Sequence, residues 1–397
     1  MNSFSDRSVN RAGTNSMKWD RYKGRDVLPF WLADMEFACA PAIIDSIHKL
    51  TRQSIFGYTL PSAEQYNAVL KYLRDEKNVL AEKDWIVWLP GIVPGLGASC
   101  RAFAGDNDAV MMCTPVYPQF MLAPANQGRK AICVPLARKG MDYGFDWDAM
   151  EKCAAGTKLF LLCNPHNPVG KAFSRKELKR LVDFCKRHDI IICSDDIHCD
   201  LIVDQGAKHT AILSIEGAAD RSVMLMAPSK TYNVPGLACA FAVIADADLR
   251  ERFKQAIRGT SEWVNMFGLE ACRVAYEECK EWHNGLISYL RGNRAYLLDF
   301  FANRMPEIKI GSCESTYMAW LDVSELGQDN AVKFFEEAGV GLSDGADYGE
   351  KQMMRLNYAC PRSMLEEGLN RMERAVASLR APVGPKSYTL DNAVENA

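Results

Sequence analysis

Three short apolar runs, each breaking off into polar residues, constrain this chain more than any other feature. Leu159-Phe-Leu-Leu-Cys163 leads into Asn164-Pro-His-Asn-Pro-Val-Gly170, and Ile190-Ile-Ile-Cys193 leads into Ser194-Asp195-Asp196-Ile197-His198. Ser222-Val-Met-Leu-Met226 leads into Ala227-Pro-Ser-Lys-Thr-Tyr-Asn233. Runs this short, bounded by Pro, Asn and charge, read as strands buried on both faces. Between the first two, Leu178, Leu181, Val182 and Cys185 recur at helical spacing within residues 175–188. Strand, helix, strand implies a mainly parallel sheet with right-handed crossovers. In open sheets of this kind ligands bind outside the carboxyl ends of the strands, where Asn167, Asp195 and Lys230 fall.

Further strands are expected at residues 85–89, 109–113, 131–135 and 240–244, which makes seven. A helix is expected after Pro41, with Ile43, Ile44, Ile47 and Leu50 as its apolar stripe. From about residue 286 the texture changes: a helical segment over 286–304 precedes strand-like runs at 316–321 and 354–359, then a last helix near 364–379 and a polar tail from Ala381. At 397 residues the chain exceeds one ordinary domain. The expected division is residues 1–45 as a polar, irregular N-terminal arm and small-domain segment, 46–285 as a large α/β domain, and 286–397 as a smaller α+β domain.

Composition narrows the class. Hydrophobic residues make up 48% and charged residues 24%, ordinary for a globular chain. A net charge of −3 gives no support to nucleic-acid or anionic-membrane binding. The fourteen cysteines form no Cys-x-x-Cys pair, and Cys113, Cys163 and Cys193 sit inside apolar runs, so they read as small buried thiols rather than metal ligands or disulfides. The first residues lack the apolar core of a signal peptide. The uncharged stretch 109–128 carries Pro115, Pro118 and Pro124 and is no membrane helix. A reducing cytoplasm is the expected location.

A lone lysine after a strand is ordinarily solvated. Lys230 instead follows a buried run and faces other strand-end polar groups, where burial favours the neutral, nucleophilic amine that Schiff-base chemistry needs. Asp195 could cap a turn; beside a pyridine ring it would keep the ring nitrogen protonated. Asn167 could organise the Pro-rich turn or bond a phenolic oxygen, with Pro165 and Pro168 stiffening the backbone. Gly91-Ile-Val-Pro-Gly-Leu-Gly97 opens a helix whose free amides suit a phosphate, although as a motif it is weak. Tyr117 could stack on a ring or simply pack. Amine, carboxylate, amide and helix terminus are the equipment that holds pyridoxal phosphate.

The whole set resembles the fold-type I pyridoxal-phosphate enzymes of the class I/II aminotransferase superfamily, and within them the cystathionine β-lyase (C–S lyase) branch. The resemblance runs through Thr14-Asn-Ser-Met-Lys-Trp-Asp20, Trp31-Leu-Ala-Asp-Met-Glu-Phe37, Phe56-Gly-Tyr58, Pro90-Gly-Ile-Val-Pro-Gly95 and Thr114-Pro-Val-Tyr-Pro118. It continues through 164–170, Ser194-Asp-Asp-Ile-His-Cys-Asp200, Pro228-Ser-Lys230, 316–322 and Arg355-Leu-Asn-Tyr-Ala-Cys-Pro-Arg362. It implies an aspartate aminotransferase-like fold and a homodimer with shared active sites. Lys230 would carry the cofactor and move the Cα proton, Asp195 would pair with the pyridine nitrogen, Asn167 would bond the phenolic oxygen, and Tyr117 would stack on the ring. Ile92 and Val93 amides and Ser229 would hold the phosphate, joined by Tyr58 from the neighbouring subunit. Arg355 would grip the substrate α-carboxylate, with Ala33 and Tyr58 also at the substrate. His198 stands where aminotransferases place a Tyr that contacts the cofactor, and matches the lyase branch. Ala238 stands where many relatives carry a phosphate-binding Arg, Cys239 supplies no cation either, and Asp196 replaces a commoner Glu. The implied activity is cleavage of L-cystathionine, cysteine or its S-conjugates to a thiol, pyruvate and ammonia. An aminotransferase using the same site is the alternative, and a cofactor-bearing regulatory protein a further one.

Overall fold

The structure, a computed structural model, describes residues 9–261 and 263–380; the expected polar tail from Ala381 and the first eight residues lie outside them. Seven strands form the main sheet: β1 Ile86–Leu89, β2 Ala109–Thr114, β3 Lys130–Pro135, β4 Thr157–Cys163, β5 Ile191–Asp195, β6 Ser222–Met226 and β7 Ala240–Ile244. Their order is β1-β7-β6-β5-β4-β2-β3. Pairings from β3 through β6 are parallel, while β7 runs antiparallel to both neighbours. All seven expected strands are present, and the mainly parallel character holds.

Alternate residues of these strands feed two separate apolar clusters, one per face. Met111, Cys113 and Phe160 join one, and Val110, Met112 and Leu161 the other. Double-sided burial is why each strand reads as an unbroken apolar run. Helix α1 spans Pro41–Thr51, α2 Ile92–Phe103, α3 Pro118–Asn126 and α4 Arg175–Arg187. Ser174 and Glu177 close a capping box at the start of α4. Helix α2 lies tightly against the sheet, where a Cβ at Gly95 would stand 3.0 Å from Leu225. That close approach sets its first turn at the carboxyl ends of the strands.

A second sheet contains β8 Lys309–Ile310, β9 Met318–Asp322, β10 Ser343–Asp344 and β11 Met353–Asn357, in the order β8-β9-β11-β10 with antiparallel pairings. Two long helices accompany it, α5 at Lys280–Arg304 and α6 at Arg362–Arg380. The strand expected from Thr316 starts only at Met318, because Thr316 turns the chain with φ 65° and its hydroxyl accepts the Met318 N–H.

Two expectations are corrected. Ile44 is 44% exposed; Ile43 and, unexpectedly, Ser46 are the buried residues of α1. The arm is not simply irregular. It forms a helical turn at Met17–Asp20 and a parallel pair between Leu28–Pro29 and Val340–Gly341, and it buries Lys18, Tyr22 and Phe30. Lys18 is drawn inward by Glu36 at 2.7 Å and Asp34 at 3.4 Å. Among the described residues no helix is long and apolar enough to cross a membrane, and all fourteen cysteines are free.

Candidate active site

A cavity of about 230 Å³ opens at the carboxyl ends of β4, β5 and β6. Asn167, Asp195, Lys230, His198 and Ser229 line it from the strand ends, Ile92 and Val93 from the first turn of α2, and Tyr117 from the N-terminus of α3. Ala33 and Arg355 complete the lining from the arm and from β11. Every site candidate from the sequence is therefore brought together except Tyr58.

Lys230 donates from Nζ to the Ala33 carbonyl at 2.8 Å. Burial and the nearby Arg355 charge bring its pKa down to about 8. Lys18 and Lys77 are more fully buried, but each is ion-paired: Lys18 with Glu36, and Lys77 with Asp200 at 2.5 Å, which raises the Lys77 pKa. Asp195 is 5% exposed and accepts the Ile197 N–H at 3.0 Å. Desolvation pushes its carboxyl up to about 7, with Asp196 adding to the rise and Lys230 opposing it. His198 is driven far below its ordinary range by burial, then by the Lys230 and Arg355 charges, so its imidazole is neutral. Its buried Nδ1 has no partner among the described residues.

These features test the cofactor that the sequence implies. A desolvated carboxylate, a neutral imidazole with an orphan nitrogen and a helix start with no side-chain cap at Gly91 all await polar partners. A phosphorylated, protonated pyridine supplies each kind, with the phosphate at the helix terminus. The residues fit pyridoxal phosphate.

Arg355 is 3% exposed. Its Nη1 donates to Asn167 Oδ1 at 3.1 Å and its Nη2 to the Trp31 carbonyl at 2.7 Å, while Tyr348 lies under the guanidinium at 4.9 Å. Its Nε is buried without a partner among the described residues. A guanidinium fixed on both sides with a donor in reserve suits a carboxylate.

The loop carrying Ala33 is held by residues the sequence reading did not single out. Tyr317 donates its hydroxyl to the Ala33 carbonyl at 3.1 Å, and Asn357 bridges the Leu32 and Asp34 carbonyls at 2.6 and 2.7 Å. Asn233 accepts the Met35 N–H at 3.0 Å and donates to the Met35 and Phe37 carbonyls. Behind Asp195, Asp196 is buried and meets His209 Nε2 at 2.8 Å and the Ser194 hydroxyl. Asn357 is the last residue of β11, two positions after Arg355, and its local sequence gives no sign of these contacts.

Tyr58 lies away from this cavity. It is 97% exposed and sits 5.8 Å from the Trp263 ring, with the Phe56 and Phe267 rings 5.5 Å apart beside it.

With this geometry in place, comparison with known proteins is informative. The profile of class I and II aminotransferases matches residues 27–372. The chain belongs to that family. Class I and II aminotransferases use pyridoxal phosphate, the cofactor this cavity fits. Within the family, cystathionine β-lyase PatB of Bacillus subtilis is 33% identical, covering 94% of this chain and 99% of its own. The crystal structure of cystalysin from Treponema denticola, which contains pyridoxal 5'-phosphate, superimposes with a TM-score of 0.92 at 34% identity, over 96% of this chain and all of its own. The pyridoxal-phosphate-bound C–S lyase of Staphylococcus hominis gives 0.90 at 28% identity, over 95% and 98%.

Proposed function

We propose that this chain is a pyridoxal-phosphate-dependent lyase that breaks the Cβ–S bond of L-cystathionine and of cysteine S-conjugates. Water is consumed, and a thiol, pyruvate and ammonia are released. One arrangement carries the reading: a lysine with a pKa of about 8 shares a 230 Å³ cavity with a desolvated carboxylate and with an arginine holding a free donor. Similarity to PatB and to the Staphylococcus hominis C–S lyase along nearly the whole chain narrows the chemistry to carbon–sulfur cleavage.

Pyridoxal phosphate, when bound, supplies an aldehyde for the substrate's amino group and a ring that stores charge left at Cα. The remaining work belongs to side chains. Asp195, Asn167, His198 and Tyr117 hold the ring, and the first-turn amides of Ile92 and Val93, with Ser229, hold the phosphate. Arg355 receives the α-carboxylate and so orients the Cα–H bond. Lys230 Nζ takes that proton, which its lowered pKa permits near neutral pH. The same Nζ, now charged, carries a proton that the departing sulfur can take.

Tyr58 completes the site from a second copy of the chain. Its almost full exposure beside Phe56, Trp263 and Phe267 supports an apolar surface that a partner covers. The test of the activity is incubation of the cofactor-loaded protein with L-cystathionine, and separately with alanine and a keto acid. Equimolar thiol and pyruvate from the first support the lyase; a new amino acid from the second, without thiol from the first, overturns it in favour of an aminotransferase.

A further inference from the structure

A second, larger cavity of about 580 Å³ shares Leu32, Tyr117 and Arg355 with the first, so the two meet at the guanidinium of Arg355. The inner one, at 230 Å³, falls below the roughly 300–1,000 Å³ of ordinary ligand pockets. Such a space leaves little room beside a bound cofactor. For a substrate held by Arg355 at the junction, the outer cavity is the space that continues from that guanidinium.

That outer cavity is polar and carries both signs of charge. Besides Arg355, Arg21 and Lys333 are its cations: Lys333 is 71% exposed and 3.7 Å from Glu337, whereas the Arg21 guanidinium is held 4.5 Å over the Trp31 ring. The Trp31 carbonyl is the group that Arg355 Nη2 donates to at 2.7 Å. One residue therefore supports two guanidiniums, Arg355 at the junction and Arg21 further out. Arg21 is weakly engaged: its nearest carboxylate, Glu336, lies at 4.0 Å and already accepts the Tyr22 hydroxyl at 3.1 Å and Arg25 at 3.4 Å. Asp344 and Asp347 line the same space.

We infer that the outer cavity is the subsite for the departing thiol half of the substrate, and that Arg21 reads an anionic group on that half. This rests on the lyase reading above and names its substrate class: thioethers whose leaving thiol bears a carboxylate, with Asp344 and Asp347 placed to accept an accompanying ammonium. S-alkyl cysteines with plain hydrocarbon tails are the poorer class, because their tails would desolvate charged walls without pairing them.

The experiment compares L-cystathionine, S-(2-carboxyethyl)-L-cysteine and S-propyl-L-cysteine on the native holoenzyme and on Arg21→Ala and Arg21→Lys. Thiol release gives kcat/KM, and the change in cofactor absorbance on mixing gives Kd. Arg21 is half exposed, so the expected effect is moderate: the ratio of kcat/KM for either carboxylate-bearing thioether to that for S-propyl-L-cysteine falls about five- to tenfold in Arg21→Ala. The loss appears in KM and Kd rather than kcat, and Arg21→Lys recovers part of it. An unchanged ratio, or a native enzyme that prefers the propyl compound, overturns the subsite. Absence of thiol from every compound would remove the lyase reading, while the Kd ratios would still decide what Arg21 reads.

Discussion

Replacing Asp195 with Asn should make the cofactor-free protein more stable at alkaline pH. Asp195 is buried, and its pKa rises from the ordinary 3.8 to about 7 because burial disfavours the charge. The folded chain thus keeps a proton that the unfolded chain gives up near 3.8. Over that interval the folded state binds more protons, so stability falls as pH rises and levels off above about 7. The full displacement costs about 4 kcal/mol at pH 8, and about 2 kcal/mol of it is already present at pH 5. Asparagine fills the same space without ionising. Urea unfolding of both apo-proteins at pH 5 and pH 8 isolates the effect, because the opposite contribution of the depressed His198 is common to both and cancels. The stability advantage of Asp195→Asn should grow by about 2–3 kcal/mol from pH 5 to pH 8. Loading the cofactor should abolish or invert that advantage, since a protonated ring nitrogen pairs with the native carboxylate alone. Parallel pH dependence in the two apo-proteins would refute the claim that Asp195 waits desolvated and unpaired.

Arg355→Leu should weaken every amino-acid substrate by about 2–5 kcal/mol irrespective of its side chain, as kcat/KM across several thioethers will show, because the α-carboxylate is common to all. Mixing Tyr58→Phe with Lys230→Ala subunits should restore about half of the native activity per dimer, since one shared site then carries both lesions and the other neither. No recovery would mean that Tyr58 serves its own subunit. Lys18→Met should cost about 3 kcal/mol in urea unfolding by leaving buried Glu36 without its closest cation, and adding Glu36→Gln should recover part of the loss.

Much of this molecule is legible in its sequence, for identifiable reasons. Strands such as Ser222–Met226, buried on both faces, must be apolar throughout, so the runs announce themselves. Because the cavity opens at strand ends, Asn167, Asp195 and Lys230 could be expected to share it before any coordinates. The direction of β7 could not, since an apolar run looks the same whichever way it lies in the sheet. Lys18 reads as an ordinary surface charge until Asp34 and Glu36 are seen folding back around it. Tyr317 and Asn357 act on a loop near residue 33 from about 300 residues away, and nothing local in the sequence marks such contacts. The two-cavity layout likewise depends on where the arm packs against β10 and β11, which periodicity does not encode.

Borohydride reduction of the cofactor-loaded protein, followed by peptide mapping, tests the central claim most directly. Charge separates the lysines of the interior: Lys18 and Lys77 are buried and held by carboxylates, whereas Lys230, partly buried in the cavity beside Arg355, has its pKa lowered to about 8. The account expects the reduced cofactor on the peptide containing Lys230 and no stable adduct in Lys230→Ala. An adduct on Lys18, Lys77 or any surface lysine in the native protein would contradict it.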